Sequence, residues 1–293
     1  MKVYFEGAND FSYGIKKTEF YIKKYAPKEI VFTTNLKEAD YQISHFISHI
    51  DRTRVHYRDK NYCVLYYCRD GWDEAIYRDT LDFFKKAKFV WTYADFNELY
   101  PEHEATFVSS PLGVDSNLYT INNLPRKYNI LTTGHVSASE AIYECLESSI
   151  RKNKSAIHLG GNLVNELGNY LERNKNLCTH LSGLSDEQVA SLLNQCNWVS
   201  ALRRDEGFEF MNLEGTLCGA RPICFNMNCY TKWFEDIPIY IPPYSGEELI
   251  QYLMGFMDNI KPITEIERNR FVEKFSWEVI AKGLWDKIMD TRG

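Results

Sequence analysis

Two glutamates, Glu206 and Glu214, stand eight positions apart in the stretch Arg203–Phe225. Between them runs Gly207-Phe208-Glu209-Phe210-Met211-Asn212-Leu213, and a short apolar turn then closes at Gly219 before Arg221-Pro222 and a strand-like run. The order reads as strand end, loop, helix start, helix stop and strand. A helix N-terminus presents unpaired backbone N–H groups and a partial positive charge, which favour a phosphate. An ionised carboxylate only accepts hydrogen bonds, so the two glutamates suit paired hydroxyls rather than the phosphate itself. Phosphate beside hydroxyls is the chemistry of a sugar nucleotide. The same residues also fit a structural reading, because glutamate is common at helix starts and glycine at helix stops.

Other side chains have types that suit the same chemistry. Arg203 and Arg204 directly precede Glu206, and their guanidinium forks match phosphate oxygens or, alternatively, pair with Asp205 or Glu209. His45 ends a strand-like run and is a candidate proton acceptor or a buried structural histidine. Asp70 follows the next run and is a comparable candidate, or starts a turn with Gly71. The segment 52–60 is basic with an interleaved aromatic; Arg52, Arg54 and Arg58 are suited to phosphate contacts on the acceptor side, or to a solvated loop. A loop from Gly7 through Tyr13 to Gly14 joins the first run to a helical pattern, and Gly14 permits close backbone approach. No two aspartates are separated by one residue and no G-x-x-x-x-G-K-[ST] loop occurs, so no metal or P-loop site is assigned.

Elements that position these residues follow from the pattern. Apolar runs alternate with helical periodicity throughout, which argues for α/β architecture with parallel sheets. The first series of strands is expected at Lys2–Glu6, Glu29–Thr33, Tyr41–Phe46, Tyr62–Cys68, Lys88–Thr92 and Ala105–Ser109, with helices at Phe11–Lys24 and Asp73–Lys86. After a linker-like stretch, Asn122–Lys127, a second series is expected at Tyr128–Thr132, Ala156–Leu159, Cys178–Leu181, Trp198–Leu202, Pro222–Phe225 and Ile239–Ile241. Its helices are expected at Ser139–Ser149, Asp186–Asn194, Asn212–Cys218 and Glu247–Met257. The 293 residues, 44% of them hydrophobic, suffice for two doubly wound domains facing a cleft. The net charge of −6 gives no global case for nucleic acid or a membrane surface. The eight cysteines form no C-x-x-C pair and read as reduced core residues of a cytoplasmic protein. The N-terminus reads as a strand rather than a signal peptide, and no run has the length of a membrane span.

The Glu206–Glu214 segment resembles the E-x7-E signature of retaining glycosyltransferases of the GT-B fold, the family-4-type group. Its usual form begins E-G-F-G-x-x-x-x-E. Glu206, Gly207, Phe208 and Glu214 match it, and Gly219 and Pro222 match the glycine and proline that follow. Ser109–Asp115 looks like the turn that closes the family's first domain. Asn129–His135, His158–Asn162 and Leu181–Ser185 resemble successive strand ends of its second domain.

The resemblance implies a GT-B architecture of two Rossmann-like domains. It places residues 1–121 on the acceptor side, with a C-terminal helix at about 276–293 crossing back to it, and residues 122–275 around the nucleotide sugar. It implies that Glu214 binds the ribose, that Glu206 positions the donor sugar, and that the N–H groups from Phe208 to Met211, including Glu209 and Phe210, face the diphosphate. Gly134 and His135 form the glycine turn, and Gly183 and Leu184 lie near the base. The family supplies an arginine after that turn and a lysine five residues later; here His135 and Glu140 stand there. One of the two arginines, Arg204 by preference, is then expected to neutralise the diphosphate.

The function implied is transfer of a sugar from a nucleoside-diphosphate sugar, a UDP- or GDP-sugar, with retention and without metal. The acceptor is a glycan, a lipid-linked saccharide, a protein or a modified nucleic-acid base. A catalytically degenerate nucleotide- or glycan-binding module and a sugar-nucleotide epimerase of the same fold are the alternatives.

Overall fold

The computed structural model describes residues 1–6, 13–46, 61–67, 84–93, 104–134, 140–161, 165–204 and 207–291, with the backbone alone at 13 and 165. The chain forms two compact units. One comprises Met1–Gly113, Glu206–Phe208 and Phe275–Gly293, and the other Val114–Asp205 and Glu209–Lys274.

The first unit is built on strands β1 (Lys2–Phe5), β2 (Val31–Thr33), β3 (Tyr41–Phe46), β4 (Asn61–Tyr66), β5 (Phe89–Thr92) and β6 (Phe107–Ser109). They pair in parallel in the order β2-β1-β3-β4-β5-β6. All of β3 and β5 is buried; β5 reads accordingly as an apolar run, while β3 takes Gln42, Ser44 and His45 into the interior. Helix α1 (Tyr13–Lys24) meets this sheet through Glu19, at His45 of β3, and Lys23, over the Phe5 ring of β1. The expected helix Asp73–Lys86 falls almost wholly outside the described residues.

In the second unit the strands are β7 (Tyr128–Thr133), β8 (Ala156–Leu159), β9 (Cys178–Leu181), β10 (Cys196–Ala201), β11 (Arg221–Phe225) and β12 (Ile239–Ile241). Their order, β12-β11-β10-β7-β8-β9, is the doubly wound Rossmann order, again all parallel. Helices α2 (Ile142–Arg151), α3 (Asn165–Arg173), α4 (Asp186–Leu193), α5 (Phe210–Leu217), α6 (Asn228–Phe234), α7 (Gly246–Phe256) and α8 (Glu265–Phe275) follow in chain order. Ser185 begins α4 with a full capping box to Gln188. Trp198, fully buried, donates its indole N–H to the Met257 carbonyl at 3.2 Å and so fixes the end of α7 under the sheet. The 122–127 stretch is anchored: the Asn122 N–H meets Asn194 Oδ1 at 2.7 Å, and Arg126 donates to the Leu193, Cys196 and Cys218 carbonyls.

The last helix, α9 (Trp277–Asp290), belongs to the first unit. Ser276, extended at φ −60° and ψ 139°, breaks it from α8. Its Trp277 lies flat on Tyr21 at 5.3 Å, and Trp285 donates to the Ile22 carbonyl at 3.0 Å. Gly113 is required there, because a Cβ would stand 2.5 Å from the Trp277 ring. Asp115, just beyond, accepts from the N–H groups of Asn117 and Leu118 in an Asx turn.

Among the described residues the cysteines are free thiols, and all except Cys229 are buried. Burial pushes the Cys145 and Cys196 thiols up to about 12, so these cysteines behave as small core residues. Among the described residues no helix is long and apolar enough to cross a membrane.

Candidate functional site

The order of the second sheet reverses between β7 and β10, and in such sheets ligands bind in the crevice at the carboxyl ends flanking that switch. β7 runs out into Gly134 and β10 into Leu202-Arg203-Arg204. The two are in register, with Trp198 opposite Ile130 and Val199 opposite Leu131. Helix α5 returns over β10, and Gly215 sets its distance: a Cβ there would stand 2.3 Å from Val199 Cγ1. Glu214, 4% exposed, is carried into the interior by this close packing. Gly219, at φ +80°, ends the helix in the left-handed conformation that glycine tolerates.

Arg203 is the centre of the site. Its Nε stands 2.7 Å from Glu209 Oε2 and its Nη1 3.1 Å from Glu140 Oε1. Nη2 reaches Thr133 Oγ1 at 3.3 Å, beside the glycine turn. Gly134 has φ +113°, and a Cβ on it would lie 2.7 Å from Glu140 Oε1 and 2.8 Å from Arg203 Nη2. The side chains of Arg203, Glu140 and Glu209 are only 16%, 10% and 8% exposed. Glu209 is also the N-cap of α5, its Oε1 accepting the Met211 N–H at 3.0 Å. One guanidinium between two carboxylates joins the glycine turn, the end of β10 and the start of α5.

The remaining candidates are distributed as follows. Arg204 turns away from this cluster: it donates to the Tyr244 carbonyl and its guanidinium lies 4.5 Å over the Phe225 ring. Gly207 and Phe208 group with the first unit, where Phe208 packs 5.8 Å from Tyr93. Phe210 opens α5 and Met211 is buried in its first turn. Gly183, at φ +65°, and Leu184 follow β9, two strands from β7 and so roughly 10 Å along the sheet. Gly14 lies in the first turn of α1.

His45 is buried at the end of β3, with Nδ1 2.9 Å from the Tyr67 hydroxyl and Nε2 3.3 Å from Glu19 Oε2. Burial lowers its pKa against the opposing pull of Glu19, so it sits as a neutral ring donating to Glu19 and accepting from Tyr67. Glu206, Asp70, His135, Arg52, Arg54 and Arg58, and the side chain of Tyr13, lie outside the described residues.

Two features of the site escaped the sequence. In the sequence Glu140 is only a departure from a lysine pattern; in the fold it is an ion-pair partner of Arg203 across 63 positions. Glu209 occupies the place of a glycine in the E-G-F-G form, and its side chain takes a helix N–H expected to face phosphate. A third feature lies further along the sheet. His158 and His180 stack at 5.8 Å, His158 bonding Thr132 at 3.0 Å and His180 the Gly160 carbonyl at 3.0 Å.

No protein-family model matches the chain, and no curated protein sequence matches it. Solved structures do. A glycosyltransferase from Rickettsia africae superposes with a TM-score of 0.70 at 14% identity, covering 99% of this chain and 98% of that one. This chain has the GT-B fold. Sucrose-phosphate synthase from Thermosynechococcus elongatus superposes at a TM-score of 0.68 and 14% identity, over 86% of this chain and 73% of the other. The pneumococcal O-GlcNAc transferase GtfA, solved with UDP and GlcNAc, superposes at 0.67 and 12% identity over 96% of this chain. The chain spans only 60% of the length of GtfA.

Proposed function

We propose that the protein is a glycosyltransferase that takes its sugar from a nucleoside-diphosphate donor held by the second unit. The observation that carries this reading is the convergence of the Gly134 turn, Arg203 and the α5 N-terminus at the switch point of a Rossmann sheet. Backbone N–H groups at a helix start and a guanidinium are the groups that stabilise a leaving diphosphate. Superposition on GtfA, solved with UDP and GlcNAc, supports a nucleotide-sugar donor.

In this reading Arg203, rather than Arg204, neutralises the diphosphate, because Arg204 is turned towards Tyr244. Glu214 accepts from the ribose hydroxyls and Glu206 from the donor sugar, as the E-x7-E resemblance implies. Gly183 and Leu184, at the end of β9, flank the base. The protein positions the donor and stabilises charge on the departing phosphate, with Arg203 in place of a metal, and the E-x7-E resemblance implies retention. The first unit receives the acceptor.

The net negative charge of the Glu140–Arg203–Glu209 cluster is the observation that favours the second reading, a nucleotide-binding module without turnover. A panel of UDP-, GDP-, ADP- and TDP-sugars, read by thermal shift and by release of nucleoside diphosphate, tests both. A donor at a hundred times its dissociation constant adds about 2.7 kcal/mol to stability. Stabilisation with diphosphate release supports the transferase; stabilisation without release supports the module; no stabilisation by any donor overturns both.

A further inference from the structure

The α5 N-terminus is already occupied. Glu209 Oε1 takes the Met211 N–H at 3.0 Å, and Glu209 Oε2 holds Arg203 Nε at 2.7 Å. Both groups are ones that a donor diphosphate would use. The Glu209 carboxylate therefore sits on the α5 amide and the guanidinium together, as a phosphate oxygen pair would. Glu140 holds the opposite edge of the same guanidinium at 3.1 Å. The space beside Arg203 Nη2 is a cradle that only a glycine leaves open, since a Cβ at Gly134 would stand 2.8 Å from it.

We infer that the Glu209 side chain is an internal competitor for the diphosphate, so that donor binding requires it to leave the Met211 N–H and release Arg203. This inference rests on the donor reading above. An incoming diphosphate meets a buried carboxylate of like sign, and like-charge juxtaposition is costly at a desolvated site. Glu209 thereby sets donor affinity and couples it to movement of one side chain. Glu140 keeps Arg203 at the glycine turn while Glu209 lets go, which makes Glu140 a positioning residue.

The test is calorimetric titration of UDP, GDP and ADP, and of the matching nucleosides, into wild type, E209Q and E209G. Glutamine keeps an amide oxygen for the Met211 N–H while removing the charge; glycine removes the side chain altogether. The expected result is about tenfold tighter binding of the preferred diphosphate to both variants, with nucleoside affinity unchanged. If Glu209 serves only as a helix cap, the variants lower the melting temperature of the free protein and bind the diphosphate no more tightly, which overturns the inference. Equal diphosphate affinity in a folded E209Q does the same and leaves the donor reading standing. Failure of wild type and both variants to bind any diphosphate overturns the donor reading and the inference with it.

Discussion

Arg203 Nε stands 2.7 Å from one oxygen of Glu209, while the other oxygen of Glu209 accepts the Met211 N–H at 3.0 Å. A single carboxylate thus fastens the end of β10 to the start of α5. The same guanidinium reaches Glu140 at the start of the neighbouring α2 region, so three chain segments depend on one cation.

Arg203→Met leaves Glu140 and Glu209 facing each other without a counter-charge. Removing one partner of a buried ion pair costs about 3 kcal/mol. Urea denaturation is expected to show that loss, and adding Glu140→Gln to the same chain is expected to recover part of it. A double variant as unstable as the sum of the two singles would show that the pair does not couple.

Gly134→Ala places a methyl group against Glu140 and Arg203 and forces alanine to φ +113°. A residue in so sparsely populated a region costs roughly 1–3 kcal/mol. The melting temperature is expected to fall, and the stabilisation by nucleoside diphosphate to shrink, because the methyl group displaces Nη2. An undiminished diphosphate-induced shift would separate the turn from the donor site.

Gly215→Ala drives a methyl group into Val199, whose Cγ1 would lie 2.3 Å away. Overpacking of this kind costs about 1–3 kcal/mol. The paired change Val199→Ala opens the space and is expected to restore α5 to its seat, read as a recovered denaturation midpoint relative to Gly215→Ala alone.

Acid should unfold the first unit in two steps. His45 is neutral in the fold, its pKa lowered from 6.5 chiefly by burial, so below pH 6.5 the unfolded chain binds a proton that the folded chain refuses and stability falls. For Glu19, burial opposes ionisation, but hydrogen bonds from His45 and Lys23 win and bring its pKa to about 2 from the ordinary 4.5. Its contribution is present above 4.5 and is lost as pH falls through about 2. Denaturant midpoints across pH 2–7 are expected to decline over both windows, and His45→Gln to abolish the upper limb. A pH-independent midpoint between 6.5 and 4.5 would remove His45 as the cause.

Strands were the most legible part of the chain. Phe89–Thr92 reads as an apolar run because all of β5 is buried, whereas β3 buries Gln42, Ser44 and His45 among its apolar residues and is marked instead by Tyr41, Ile43 and Phe46. Helices with polar composition were harder. Asn165–Arg173 keeps the i, i+3, i+4 spacing in Leu167, Tyr170 and Leu171, but it is nine residues long with Gly168 inside, so length and propensity argue against it. Asn228–Phe234 spans seven residues, too few for a helical period to stand out. The acidic pair Glu206–Glu214 is visible as spacing and Glu209 as a near neighbour able to pair with Arg203, but the second partner, Glu140, is not. An ion pair across 63 positions leaves no mark in local pattern; it exists because β7 and β10 are neighbours.

The hydrogen bond from Trp285 to the Ile22 carbonyl closes a loop of 263 positions. A chain leaving the ribosome has released most of residues 114–274 before that tryptophan is made, so the second unit can complete its sheet while the first still lacks α9. The unit that is begun earlier is thus finished later. Until Trp277 and Trp285 arrive, Tyr21 and the face of α1 around it stay uncovered, a window in which a nascent chain needs protection from its neighbours.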